Sequence, residues 1–538
     1  MHRDGHGLRL RALVAGCLLA LGGARVMGCS SRDDSGLCDR TDVALNCGEC
    51  GLACKSGESC VVDRCVPALV CENGQLDCGR ACVDVSTNGE HCGGCGVLCE
   101  PGTACASGAC VPLPSKIEHV VLISQENHTF DSYFGNYCKA LAGSNPTCNE
   151  GPNCCEAAPA TEPHGASPEL LDDLNNAARD RNHAMACERD QINGGLMDRF
   201  VTGSTYVHTP ILEQPCSSPH NWAVADAKSV ATYGALADKG ALADRYFQPV
   251  VGGSASNDMY FAIARFQFKD NDSYPDSINS GCAMPLPVKR VSWKGRKTIG
   301  DVLIEHGSSF ASYVQGYGAA VDAWNTNGKC PIAPADCPTK TFPFNLACKY
   351  DAGDVPFQYY AQFTDDPKRM KDYDAFAKAL AEGTLPEFAY VKAVAVNNEH
   401  PGVASISRGM TFVAETLALI EQSAYASDTL VLITMDEGGG FYDHVPPPPP
   451  VPTSYDSDDK NMPVPYGTRV PMIALGPFAR KGGVSHVVLE HSSIVKFLEL
   501  NFGGPEAVGA LGNRDAYVNH IGSLLDPKTT GIVVPEGP

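Results

Sequence analysis

Six short apolar runs constrain this chain most: "HVVLIS" (119–124), "ALADRYFQPVV" (241–251), "SFASYVQGY" (309–317), "PEFAYVKAV" (386–394), "TLVLIT" (429–434) and "RVPMIAL" (469–475). Runs of this length, rich in β-branched residues and largely without polar alternation, predict strands buried on both faces of a sheet. Between them lie longer segments such as "SISRGMTFVAETLALIEQSAYA" (405–426), whose apolar residues recur at helical spacing. Strand and helix in alternation predict an α/β layered fold around a mostly parallel sheet. With 538 residues, 43% apolar and 19% charged, the chain can fill a large core and form more than one domain.

In parallel sheets ligands sit beyond the carboxyl ends of the strands, so the residues that follow these runs are where chemistry is expected. "HVVLIS" leads into Glu126 and Asn127, "YFQPVV" into "GGSASND" with Ser254, and "TLVLIT" into "MDEGGGFYDH" with Asp436 and Glu437. Adjacent carboxylates at a buried strand end repel each other and resist desolvation unless a cation holds them. Together with the Asn127 amide oxygen and the Ser254 hydroxyl they form an all-oxygen donor set. Such a set suits one hard divalent ion, Ca²⁺, Mg²⁺ or Mn²⁺. Glycines 438–440 are expected to let backbone and substrate approach closely.

Cysteine usage separates a second module. Of 26 Cys, fourteen lie between Cys38 and Cys110 and ten between Cys138 and Cys348, both even sets. Cys47, Cys50, Cys54, Cys60 and Cys65 recur 45 residues later as Cys92, Cys95, Cys99, Cys105 and Cys110. These Gly-rich units hold too few large apolar residues to fold without cross-links, and with His91 the one histidine nearby they read as disulfides rather than zinc sites.

The basic start and the apolar stretch from Ala12 to Ala24 predict an export signal. Cys29 after "VMG" is the expected lipid-bearing residue, with Cys17 after "LVAG" as the rival position. The expected division is a signal at 1–28, a Cys-rich tandem repeat at 29–111, a linker at 112–116, a catalytic domain at 117–525 and a tail at 526–538. The expected location is a bacterial outer membrane or cell surface, reached through the lipid, or free secretion. A net charge of −21 argues against nucleic acid as a partner.

Several of these segments together resemble one family, the phosphoesterases that include bacterial and plant non-specific phospholipases C and an acid phosphatase. "IEHVVLISQENHTFDSYFGNY" is similar to its E-N-x-[ST]-F-D-x-Y-F-G segment and "SSPHNWAVAD" to its H-x-W segment. "LADRYFQPVVGGSASNDMYF" resembles its nucleophile segment G-P-[ST]-x-P-N-R, "NNEHPGVASISRGM" its E-H-P segment, and "LITMDEGGGFYDHVPPP" its strand and turn. The resemblance implies an alkaline-phosphatase-like three-layer sandwich. It implies a metal site of Glu126, Asn127, Ser254, Asp436 and Glu437, with Ser254 as the nucleophile that forms a phosphoserine. His220 and His400 would bind phosphoryl oxygens and exchange protons with the leaving group. Asn257 takes the segment's Asn position, and Asp443 and His444 are expected to steady the loop.

Two positions depart from the pattern: Ser256 and Asp258 stand where the family carries Pro and Arg, which puts phosphate binding in doubt and makes Ser256 a rival nucleophile. The expected substrates are phosphate monoesters or phospholipid headgroup diesters, with selectivity in insertions such as residues 138–215. The competing expectation is an envelope-binding or surface-binding protein whose phosphoesterase-like domain is inactive.

Overall fold

The computed structural model describes residues 54–530 except 56–57, 62–63, 68–70, 72–74, 79–81, 100–102, 113–116, 206, 209–213, 284–288, 329, 335–336, 338–347, 453–455 and 459–463. The expected signal with Cys17 and Cys29, residues 113–116 of the linker and residues 531–538 of the tail lie outside the described residues. Contacts divide the chain into two units, residues 1–82 and 83–538.

The repeat seen in the sequence is also a repeat of structure. A hairpin of Glu58–Val61 and Arg64–Pro67 sets Cys60 opposite Cys65. The hairpin of Thr103–Ala106 and Ala109–Pro112 sets Cys105 opposite Cys110 in the same register. In the second copy the bonds run Cys92–Cys105 and Cys99–Cys110, so these sulfurs are not metal ligands. The ten later cysteines pair as Cys138–Cys155, Cys148–Cys154, Cys187–Cys216, Cys282–Cys330 and Cys337–Cys348.

The large unit is built on an eight-stranded sheet. Its strands are β1 (His119–Gln125), β2 (Ala241–Ala243), β3 (Phe310–Val314), β4 (Met370–Asp372), β5 (Phe388–Lys392), β6 (Thr429–Met435), β7 (Met472–Leu475) and β8 (Gly483–Ser485). They lie in the order β4-β3-β5-β1-β6-β7-β2-β8, and β7 alone runs against its neighbours. In β1, Val120, Val121, Leu122 and Ile123 are all 0% exposed, which is why that run shows no polar alternation.

Helices α1 (Ala231–Lys239), α4 (Asp374–Glu382) and α5 (Ile406–Glu421) pack as one set, and α2 (Ser254–Ile263), α3 (Ile299–Glu305) and α6 (His491–Leu498) as another, one set on each face. The layered, mostly parallel arrangement expected from the sequence is present. Ser405 caps α5 by accepting the Arg408 N–H, and Ile406, Gly409, Phe412, Val413, Thr416, Leu417 and Ile420 form its buried stripe.

One expected strand is much shorter than its apolar run. Of residues 241–251, Ala241–Ala243 alone join the sheet. Pro249 has no N–H to give a ladder, and the buried Gln248 side chain accepts the Gly438 N–H instead (2.8 Å).

Candidate active site

The three central strands β5, β1 and β6 are parallel neighbours, and the site is assembled at their carboxyl ends. Register pairs Gln125 with Met435 and Ser124 with Lys392, so Glu126 and Asp436 are the next residues out on β1 and β6. The Asp436 N–H still donates to Gln125 O (3.0 Å), which holds the two strand ends in step. Asn127 follows at φ +71°, a left-handed conformation that asparagine tolerates better than most residues and that is often found at functional sites.

In the "DEGGG" turn the glycines let neighbouring backbone approach closely. Gly439 and Gly440 have φ +63° and +71°, and a Cβ on them would lie 2.3 Å from Asn127 O and 2.7 Å from Asn182 O. A Cβ on Gly438 would lie 2.1 Å from Thr468 Oγ1. The glycines therefore admit neighbouring protein chain, and this close packing sets Gly439 against the Asn127 turn.

Ser254 is the first residue of α2, with Gly253 at its cap. Asn257 fixes the approach to it: its amide donates to Gly252 O (2.8 Å) and Gly253 O (3.2 Å), and its oxygen accepts the Val250 N–H (3.1 Å). The Ser254 hydroxyl faces the Asp436 carboxylate closely enough to favour its ionised form, at the positive end of the helix. Ser256 is fully buried and donates to Gly253 O at 2.7 Å, so its hydroxyl is engaged with the backbone.

The donor atoms fit a cation. Glu126, Asn127, Asp436 and Glu437 are each no more than 2% exposed, and Asn127 Oδ1, Asp436 Oδ2 and Glu437 Oε1 accept no hydrogen bond from the protein. Their other oxygens are occupied: Asp436 Oδ1 accepts the Glu437 N–H (2.8 Å) and Glu437 Oε2 the Gly439 N–H (2.6 Å). Burial pushes Asp436 up to about 6, with Lys392 opposing and Glu126 reinforcing the shift. Burial and the neighbouring Asp436 raise Glu437 well above the usual carboxylate range. Buried carboxylate and amide oxygens left without a protein donor are the arrangement a hard divalent ion relieves.

Among the described residues, the three groupings of His, Cys, Asp or Glu whose ligand atoms lie within 4.8 Å of one another are elsewhere. Cys92, Cys99 and Cys110 are disulfide-bonded. Glu118, His119 and Asp428 sit at the opposite end of the sheet, before and at the start of β1 and β6.

The third grouping is Asp131, Asp443 and His444, which Arg469 already joins: its Nε lies 2.8 Å from Asp443 and its Nη2 3.0 Å from Asp131. Asp443 and His444 are thus held in a buried ion-pair network with Asp131 and Arg469. His444 lies between Asp131 (2.8 Å) and Glu156 (2.9 Å), tying the turn to the disulfide-rich insertion. Burial disfavours its cation, but attraction and hydrogen bonds from the two carboxylates prevail and push it up to about 9. Since this lies above its ordinary value, the stabilisation is complete below about 6.5 and fades as pH rises through about 9. Urea unfolding between pH 6 and 10 should show that loss, and His444→Ala should remove it together with about 3 kcal/mol at pH 7.

His220 and His400 occupy different walls. His400 influences Glu126 electrostatically, and its ring lies 6.4 Å from that of His183. His220 lines a cleft of about 320 Å³ with Arg179, Asp180, Arg181 and Gly402, and its Nδ1 lies 2.8 Å from Glu169. Asp180 acts electrostatically on Glu437, which links this cleft to the carboxylates.

Other groups gathered here were not anticipated. His183 Nε2 is 3.8 Å from Glu437 Oε1, and Lys392 Nζ is 2.6 Å from Glu126 Oε1. Asp258, Asp351 and Asp354 belong to the same electrostatic cluster. His491 supports the site from behind: its Nε2 meets Asp436 O at 2.7 Å and its Nδ1 the Tyr246 hydroxyl at 2.8 Å.

The Phosphoesterase family matches residues 117–505. Phospholipase C B of Mycobacterium tuberculosis is 24% identical over 440 residues, covering 76% of this chain and 78% of that protein. Non-specific phospholipase C6 of Arabidopsis thaliana is 24% identical over 453 residues, covering 77% and 73%. The non-hemolytic phospholipase C of Pseudomonas aeruginosa is 24% identical over 424 residues, covering 72% of this chain and 54% of its own length. Among solved structures, the phosphonate monoester hydrolase of Agrobacterium radiobacter superposes with a TM-score of 0.31 at 10% identity, covering 72% and 74%.

Proposed function

Because the chain belongs to the Phosphoesterase family, and is thus a phosphoric ester hydrolase, we propose that it uses one divalent ion and Ser254 to hydrolyse phosphate esters by way of a phosphoserine. The observation that carries this reading is three buried oxygens without protein donors, on Asn127, Asp436 and Glu437, together with the Ser254 hydroxyl that favours the ionised Asp436.

Glu126, Asn127, Ser254, Asp436 and Glu437 would hold the ion. When bound, it supplies Lewis acidity that favours the serine alkoxide and polarises a phosphoryl oxygen. The protein's own groups do the rest. Ser254 Oγ attacks phosphorus at the positive end of α2, where a bond from serine to phosphorus forms as the ester oxygen departs. His400 and His220 bind phosphoryl oxygens and return a proton to that leaving oxygen. Water then attacks the phosphoserine in a second displacement, which regenerates the hydroxyl and releases phosphate or a phosphate monoester. Asn257 keeps Ser254 at the helix start throughout.

The substrate class is a phosphate monoester or a phospholipid headgroup diester, and the cleft beside His220 is where the alcohol portion would lie. An exported, lipid-anchored form would bring that cleft to envelope lipids. No helix among the described residues is long and apolar enough to cross a membrane.

The full chain should be assayed on p-nitrophenyl phosphate and on phosphatidylcholine vesicles, before and after EDTA and after added Mn²⁺, Ca²⁺ or Mg²⁺. Turnover of at least one substrate, abolished by chelation and restored by one of these ions, is the expected result. Turnover that chelation leaves unchanged would overturn metal dependence, and no turnover with any ion would favour a surface-binding role.

A further inference from the structure

In β5, "FAYVK", four residues fit a strand buried on both faces and the fifth does not. Lys392 is 1% exposed, and burying an ammonium costs several kcal/mol unless well-placed anions offset it. It has them. Its Nζ is 2.6 Å from Glu126 Oε1, at the end of the neighbouring strand. Asp258, Tyr390 and Asp436 act on it electrostatically as well. Asp351 and Asp354 feel it too, Lys392 opposing the upward shift that burial gives both carboxyls.

Asp258 is the informative partner. It is 0% exposed, and neither carboxylate oxygen accepts a protein hydrogen bond. It lies four residues after Ser254 on α2, so nucleophile and carboxylate share one face of that helix. Lys392 is thus ion-paired with Glu126 at the strand end and acts electrostatically on Asp258 of the helix that presents the nucleophile.

We infer that Lys392 is a positioning residue of the catalytic centre, a built-in cation that fixes Glu126 and offsets the buried Asp258 behind the nucleophile. The inference rests on the phosphoesterase reading for its chemistry but not for its electrostatics. A fixed ammonium repels a divalent ion held by the same carboxylates, so its charge must weaken ion binding even as it orders the groups that do the chemistry.

The test uses the full chain and Mn²⁺ alone as probe. By titration calorimetry, Lys392→Met should bind Mn²⁺ at least roughly tenfold more tightly than the parent. On p-nitrophenyl phosphate the same variant should lose roughly 100-fold in kcat with KM changed less than about threefold. Lys392→Arg, which keeps the charge, should restore parental Mn²⁺ affinity and most of kcat. Lys392→Met with Asp258→Asn removes both charges, and should recover thermal stability while kcat stays low.

Unchanged or weaker Mn²⁺ binding in Lys392→Met would overturn the inference. So would full recovery of kcat in the double variant, because Lys392 would then only neutralise Asp258. Should the parent turn over no phosphate ester, the Mn²⁺ titration still decides the electrostatic claim by itself, and the failure belongs to the functional reading.

Discussion

Ser254→Ala lowers kcat by roughly 10⁴-fold on whichever phosphate ester the parent hydrolyses, with little change in fold or in melting temperature. The size follows from the role: a nucleophile that forms the covalent bond has no substitute once its oxygen is removed. The small structural cost follows from the contacts, since Asn257 rather than the Ser254 hydroxyl holds the approach to α2. Ser256→Ala is the matched control. It removes a buried hydroxyl from Gly253 O and should cost about 1 kcal/mol of stability while leaving kcat within about threefold. Comparing the two variants by steady-state kinetics and thermal melting decides between the serines, and a larger loss of kcat in Ser256→Ala would reverse the assignment.

Asp436→Asn gives two opposite effects. It removes a charge from the ion site, so Mn²⁺ affinity should fall by more than about 100-fold, beyond the 10–100-fold lost with the outer partners of a metal ligand. In EDTA the same variant should melt higher than the parent. Burial and Glu126 hold Asp436 at about 6 against the pull of Lys392, so its folded-state value is raised. A raised carboxylate destabilises the metal-free fold above its ordinary range, increasingly as pH climbs through about 6. Melting curves at pH 5 and pH 8, with and without Mn²⁺, separate the two effects. A variant that melts lower than the parent in EDTA at pH 8 would mean that Asp436 is not strained by its neighbours.

The parts of the site that were legible in the sequence share one property: each pair is adjacent in the chain. Glu126 with Asn127 and Asp436 with Glu437 follow runs that announce themselves as buried strands, and a parallel sheet then places both pairs at one edge. Ser254 was legible because it follows an apolar run and takes the Ser/Thr position of the nucleophile segment that this stretch resembles. Lys392, Asp258, Asp351, Asp354 and His183 come singly, from a strand end, a helix interior and loops, and no local spacing marks them.

For Lys392 a signal did exist. A lysine inside "PEFAYVKAV" contradicts a strand buried on both faces and therefore requires an anion at its tip. Asp258 was noticed as a departure and read as a loss of positive charge, because the cation facing it lies 134 residues further along the chain. The shortened β2 escaped for a related reason: the backbone after Ala243 bonds to residues 465–470 and 489 through isolated bridges rather than continuing the sheet.

Gly438, Gly439 and Gly440 carry no functional group, and yet each stands where one extra carbon would strike Thr468, Asn127 or Asn182. In a library randomised at these codons and sorted only for soluble expression, glycine should already dominate the survivors before any substrate is offered. Invariance at such a turn would then record how the cradle is assembled, and a reader of sequence conservation alone would mistake it for chemistry.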